Sequence, residues 1–162
     1  MLAIQELDVG AVRHPLGPPA KVRAYNHLLG ECGMTFFATR GLSKKYSGRF
    51  PKVLHDAPLL LPADTTTVRR ALDQWFDAQH IRPFMVGQFE DFALLRRFGE
   101  TGAGIFAVPS VLEKLFRSER KLRVVGRAAA VRNRFYAISV ERKLKHPAMV
   151  AICETARHEL FS

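Results

Sequence analysis

The segment from residue 86 to residue 109 constrains the fold of this chain more than any other, because it reads as a strand, a short helix, a glycine turn and a buried strand in succession. Asp91 can cap a helix through its carboxylate. Four apolar residues then follow at helical spacing, namely Phe92, Leu94, Leu95 and Phe98. We expect Gly99 to end this helix. A strand, helix and strand in this order indicate an α/β fold.

The glycine turn at residues 101–104 precedes an apolar strand at residues 105–108, which Pro109 ends. Gly102 and Gly104 let the backbone turn sharply and come close to a small ligand. A dinucleotide fingerprint needs a strand before its glycines and a helix after them, and the order here is reversed. An ordinary helix-to-strand turn is the alternative interpretation.

The composition predicts one globular domain, since 48% of the 162 residues are hydrophobic and 25% are charged. Cys32 and Cys153 lie far apart in the sequence, so they form neither a metal-ligand cluster nor a disulfide framework, and we expect free, buried thiols. The sequence has no signal peptide and no continuous apolar stretch of about 18 residues. Together these features predict a soluble, cytoplasmic protein.

The net charge of +10 admits several partners, because basic surfaces attract nucleic acid, anionic ligands and membranes. The basic residues cluster in one expected loop at positions 44–49, in another at positions 117–123, and toward the end of the sequence at positions 132–145. Nucleic-acid binding would need interleaved exposed aromatic residues or a recognition helix for support, and the sequence offers neither. A solvated surface is therefore the first interpretation, with anion attraction and nucleic-acid contact as alternatives.

The remaining chain continues the alternation of strands and helices. We expect strands at residues 7–12, 34–39, 59–62, 82–89, 122–126 and 135–140, and helices at residues 64–76, 111–116 and from 147 onward. Three prolines and a glycine predict a loop at residues 13–20. This alternation predicts an α/β sandwich with a largely parallel sheet.

No catalytic constellation emerges, because the six histidines lack metal-ligand spacing and no serine lies in a nucleophile-elbow context. The sequence therefore predicts no enzyme, no metal site and no cofactor. The strongest binding feature is the start of the helix at Thr65, Thr66 and Thr67, where hydroxyls, free amides and the helix dipole could hold a small anion. Capping by Asp64 or Thr65 alone is the alternative.

The chain also resembles the effector-binding half of LysR-type transcriptional regulators. The resemblance rests on residues 30–37, 60–62, 75–76, 79, 87, 89, 91, 93–95, 98–99, 103–106, 109, 136–138, 141–142, 146–148, 152–153 and 160–161. The glycine turn with its proline is typical of the whole family. The motifs at residues 30–33, 136–138 and 146–148 point to a narrower group, the activators of sodium/proton antiporter genes.

The resemblance implies a three-layer fold like that of periplasmic binding proteins, with two α/β subdomains and a ligand in the cleft between them. Residues 30–125 would form the complete subdomain II. Residues 1–29 and 126–162 would supply only part of subdomain I and the two crossing strands. The crossing segments at Cys32 and Gly33 and at residues 127–134 would form the hinge.

The resemblance also implies ligand contacts and partners. Besides the three threonines, the ligand-binding candidates are Arg13, Thr101, Gly102, Gly104 and Phe106. The expected partners are a small-molecule or ion effector and further copies of the chain, with no membrane. DNA would be contacted only through a winged helix-turn-helix domain, whose pattern is absent from this sequence. The alternatives are a stand-alone basic module for an anionic metabolite or nucleic acid, and a truncated, dominant-negative regulator fragment.

Overall fold

The computed structural model describes residues 3–6, 25–139 and 147–161. The described strands are β1 (Ala3–Glu6), β2 (Tyr25–Thr39), β3 (Pro58–Pro62), β4 (Phe84–Phe89), β5 (Ile105–Pro109) and β6 (Leu122–Ser139). The described α-helices are α1 (Arg40–Lys45), α2 (Thr67–Ala78), α3 (Phe92–Glu100), α4 (Glu113–Arg117) and α5 (Pro147–Phe161). Two short 3-10 helices lie at Lys52–Leu54 and Ser110–Leu112.

The chain divides into two compact units, and the larger one comprises residues 32–132. Its strands lie in the order β6-β2-β5-β3-β4. Strand β3 runs parallel to β4 and β5, whereas β2 runs antiparallel to β5. The sheet is therefore mixed, and the expectation of a largely parallel sheet is wrong. The direction of β2 depends on the edge of the sheet at which this strand begins. The alternation of strands and helices in the sequence does not determine that edge.

Two apolar layers cover the faces of this sheet, because successive strand residues point to opposite faces. Phe36 packs with Leu72 and Phe76 of α2 on one face. Its neighbour Phe37 packs on the other face with Leu95 of α3 and further residues that include Phe106 and Phe116. The larger unit thus has three layers, with α2 on one side of the sheet and α3 and α4 on the other.

Helix α3 begins as predicted, since the Asp91 carboxylate accepts a hydrogen bond of 2.8 Å from the Ala93 amide. It does not end at Gly99, which lies inside the helix and is buried. A Cβ atom at Gly99 would lie 2.3 Å from a ring carbon of Phe106. Gly99 therefore allows α3 and β5 to pack closely. The turn is made by Gly102, whose φ of +85° favours glycine.

Three further expectations differ from the structure. Strand β6 is continuous, so the predicted strands at 122–126 and 135–140 and the segment between them form one element. Lys44 and Lys45 belong to helix α1, which Thr39 caps, rather than to a loop. Cys153 is buried as expected, whereas Cys32 is only partly buried. The predicted strand at 7–12 and loop at 13–20 lie outside the described residues.

The smaller unit comprises residues 1–31 and 133–162. Within it β1 pairs antiparallel with β6, and Ala3 lies opposite Ile138. Helix α5 starts at Pro147 as predicted and contributes the buried Cys153 to a small apolar cluster with Leu29 and Ala137.

Candidate functional site

The parallel strands β3, β4 and β5 end at Pro62, Phe89 and Pro109, on one edge of the sheet that we call the carboxyl edge. The elements that follow these strands therefore begin at this edge, and α2 and α3 are two of them. In open α/β sheets ligands bind outside the carboxyl ends of the strands. The carboxyl edge is therefore the place to look for a binding site.

The three threonines lie at this edge, between the end of β3 and the first turn of α2. Thr66 is the N-cap residue: its hydroxyl accepts a hydrogen bond of 3.2 Å from the Arg69 amide and donates one of 2.8 Å to the Ala63 carbonyl. The capping role is thus present, and it belongs to Thr66 rather than to Thr65. Thr65 is exposed, and Thr67 is the first residue of the helix.

Arg69 fastens the start of α2 to the sheet. One terminal nitrogen of its guanidinium donates to the Pro62 carbonyl at 2.8 Å and to the Gln88 side chain at 3.0 Å. Its Nε atom pairs with the Asp73 carboxylate at 3.1 Å. Because Pro62 ends β3 and Gln88 lies on β4, these bonds hold the helix N-terminus in place over the ends of two strands.

A polar network lies beside the end of β5. Thr35 is fully buried on β2, opposite Val108 of β5 in the strand register. Its hydroxyl lies 2.9 Å from the Ser110 hydroxyl and donates to a carboxylate oxygen of Glu113 at 2.9 Å. Sequence reasoning missed this network, because Thr35 lies in an apolar run and its partners are more than 70 positions away.

Glu113 connects this network to two exposed arginines. Arg127 of β6 donates two hydrogen bonds to the Glu113 carboxylate, one from Nε at 2.9 Å and one from the terminal nitrogen Nη2. Arg117 lies 3.7 Å from the same carboxylate. The hydrogen bond from Arg127 lowers the pKa of Glu113, and the bond from Thr35 acts in the same direction. Burial opposes this shift without cancelling it. Glu113 is therefore ionised at neutral pH and holds β2, α4 and β6 together.

The glycine turn lies at the opposite edge of the sheet, which we call the amino edge because β3, β4 and β5 begin there. A Cβ atom at Gly104 would lie 3.1 Å from the carbonyl oxygen of Pro58, the first residue of β3. The Thr101 hydroxyl donates to the Phe98 carbonyl at 2.7 Å, and Phe106 is fully buried in the core. A five-residue strand is about 17 Å long, so one small ligand does not reach both edges.

Of the remaining candidates, Arg13 lies outside the described residues. Cys32 and Gly33 lie on β2, and a Cβ atom at Gly33 would approach the Ala129 Cα of β6 to 2.8 Å. Gly33 therefore allows the two strand backbones to lie unusually close together.

Residues 3–6, 25–139 and 147–161 contain no cluster of three or more histidine, cysteine, aspartate or glutamate side chains that could hold a metal ion. No helix in that part of the chain has the length and apolar character needed to span a membrane.

Comparison with known proteins identifies the family. Residues 1–160 match the family described as LysR substrate binding domain. The chain belongs to this LysR family. The chain is similar to the transcriptional activator protein NhaR of Escherichia coli strain K12, with 30% identity over 161 residues. That alignment covers 99% of this chain and 52% of NhaR, so the chain spans about half the length of the curated relative.

Solved structures of LysR regulators share the fold. The effector domain of AmpR from Pseudomonas aeruginosa has a TM-score of 0.66 at 14% identity, over 98% of this chain and 71% of that one. The effector-binding domain of QuiR in complex with shikimate has a TM-score of 0.60 at 16% identity, with the same coverage of both chains. These matches confirm the predicted periplasmic-binding-protein-like α/β fold and the resemblance to LysR effector domains.

Proposed function

We propose that this chain senses an effector for a NhaR-like transcriptional activator, and that a small anionic effector binds at the carboxyl edge beside α2. The observation that carries the proposal is the partly exposed start of a twelve-residue helix at the edge where ligands of open α/β sheets bind. The first amides of a helix and its dipole favour an anion at this position. The chain would act as a sensor and not as an enzyme.

Three features of the carboxyl edge support this proposal. Thr65 is exposed and next to the cap, so its hydroxyl is free to meet a ligand at the helix N-terminus. Arg69 fixes the helix start rigidly to two strands. Arg127 and Arg117 remain more than half exposed while they contact Glu113, so they add positive charge at the same edge. A rigidly held helix start with arginine side chains at the same edge suits a carboxylate or phosphate group.

We propose further that the chain consists of subdomain II and part of subdomain I, with a hinge near Cys32 and Gly33. The two compact units divide between residues 31 and 32 and between residues 132 and 133, next to the predicted hinge segments. An effector would shift the population of conformations by binding one of them more tightly than the other. In the whole regulator, copies of the chain would associate, and a separate winged helix-turn-helix domain would read DNA bases.

Ligand screening by thermal shift tests the proposed site, with shikimate and inorganic phosphate as anionic probes and sodium chloride against potassium chloride as the ion comparison. Thr65→Ala removes an exposed hydroxyl without touching the cap, so it should weaken binding of an active probe while the unliganded melting temperature stays unchanged. Thr66→Ala costs about 1 kcal/mol of helix capping as well. Thr66→Ser keeps the cap and serves as its control.

Thr101→Ala distinguishes the two edges. If an active probe binds Thr65→Ala normally and loses affinity for Thr101→Ala, the ligand lies at the glycine turn with Gly102 and Gly104, and the carboxyl-edge site is wrong. If both variants bind like the original chain, neither group of candidates contacts the ligand.

A further inference from the structure

The amino edge of the larger unit carries a concentration of exposed cations that the proposed function does not use. We call these residues the basic edge. They are Arg40, Lys44, Lys45, Arg82, Arg97, Arg120, Lys121 and Arg123, all of which are exposed. They come from separate stretches of sequence that the sheet topology brings to one side.

Backbone contacts place these residues together. The Arg40 amide, just after β2, donates to the Lys121 carbonyl, just before β6, at 3.1 Å. Arg97 and Lys121 line the same open depression. At the other end of the edge, the Arg82 carbonyl accepts from the Asp56 amide at 2.9 Å, immediately before β3. Strands β6 to β4 occupy four interstrand spacings, so the basic edge extends over about 19 Å.

Most of these charges are not neutralised by neighbouring carboxylates. Glu100 and Glu119 both pair with Arg96, at 2.8 and 2.9 Å, and Asp56, whose amide contacts Arg82, lies 3.5 Å from His55. Arg97 lies 4.0 Å from Glu100. The other seven cations make no ion pair within the described part of the chain. A surface of this kind attracts a polyanion of matching length.

We propose that the basic edge contacts the phosphate backbone of duplex DNA. Long, flexible lysine and arginine side chains suit contacts to phosphates, which need neither aromatic stacking nor a recognition helix. NhaR is a transcriptional activator, so DNA is the polyanion that a relative of this type meets in the cell. The contact would be independent of base sequence and of the effector, which is proposed to bind at the opposite edge.

Fluorescence anisotropy with a labelled duplex of arbitrary sequence tests this proposal on the whole 162-residue chain. Contacts to three phosphates give a slope of about −2.7 for log K against log salt, so affinity should fall about 40-fold between about 50 and about 200 mM salt. Lys44→Glu combined with Lys121→Glu removes two of these phosphate contacts. The slope should therefore become shallower, at about −0.9, and the affinity should fall only about 3.5-fold over the same salt range.

The matched control is Arg70→Glu combined with Lys114→Glu, which makes the same charge change with exposed residues away from the basic edge. The control should keep the slope of the original chain, and circular dichroism confirms that both variants fold. If the slope became equally shallow in both double variants, net charge alone would drive binding, and the proposal would be overturned. The proposal also fails if the original chain does not bind the duplex but binds phosphatidylserine vesicles and loses that binding in Lys44→Glu/Lys121→Glu.

Discussion

Replacing Gly99 with alanine should destabilise the larger unit, although the same change in an unpacked helix is stabilising. Alanine is favoured over glycine by about 1 kcal/mol inside a helix. At Gly99, however, the new methyl group would lie 2.3, 2.5 and 2.9 Å from three ring carbons of Phe106. Phe106 is fully buried and packs against Phe37 and Phe116, with ring centroids 6.3 and 6.2 Å away. The ring therefore has little room to move.

The overpacking cost is larger than the gain in helix propensity, so Gly99→Ala should lower the free energy of unfolding. Overpacking a close-packed core costs about 1 to 3 kcal/mol, and an approach of 2.3 Å to a buried ring places this change in the upper part of that range, at about 2 to 3 kcal/mol. After the helix gain of about 1 kcal/mol is subtracted, the net destabilisation should be about 1 to 2 kcal/mol. Urea unfolding followed by the fluorescence of Trp75 measures it, because this single tryptophan stacks with Phe36 and Phe50 in the same unit. The midpoint should fall relative to the original chain.

Gly41 provides the matched control, since it lies in helix α1 and a Cβ atom there meets no atom within 4 Å. Gly41→Ala should be neutral or stabilising by up to about 1 kcal/mol. Combining Gly99→Ala with Phe106→Leu should cost less than the sum of the single changes, by at least about 0.5 kcal/mol. A higher urea midpoint for Gly99→Ala, or strict additivity with Phe106→Leu, would refute the packing of α3 on β5 described above.

Two further predictions concern the carboxyl edge. Arg127 lowers the pKa of Glu113 in the folded chain, so the ionised carboxylate stabilises the fold at any pH above the ordinary carboxyl pKa. This stabilisation is lost as the pH falls through the lower pKa of the folded state. Glu113→Gln should therefore flatten the acid side of the unfolding free energy plotted against pH; an unchanged profile would contradict this. Arg69→Ala should cost about 1 to 3 kcal/mol in urea unfolding because the Pro62 carbonyl loses its partner, whereas Arg70→Ala should change stability by under about 0.5 kcal/mol.

Sequence patterns predicted the elements that carry their own local signals. Asp91 followed by an apolar face at helical spacing located the start of α3. Pro147 located the start of α5. Helix α1 was missed because it is only six residues long, buries no side chain and depends on Thr39 for its cap. Strand β6 was divided in two because the polar residues 132–134 interrupt its apolar pattern.

The candidate site was predictable only in part, because only some of its residues carry a local sequence signal. Thr65–Thr67 stood out because hydroxyl residues before an amphipathic stretch mark a helix start. Phe106 was proposed as a ligand contact from the resemblance, yet burial depends on packing that one strand does not reveal. The hydroxyl pair Thr35 and Ser110 exists only because β2 and β5 are neighbours in the sheet, and pairing of strands distant in sequence leaves no local pattern.

The placement of the two groups of candidate residues at opposite edges has a consequence for evolution and engineering. Substitutions separated by more than about 10 Å, with no shared partners, combine additively, and the strands between these edges are longer than that. Selection could therefore change residues of the proposed effector site, such as Thr65 and Thr66, without altering the surface around Lys121. A biosensor designer would have the same freedom, with one edge available for randomisation and the other for attachment.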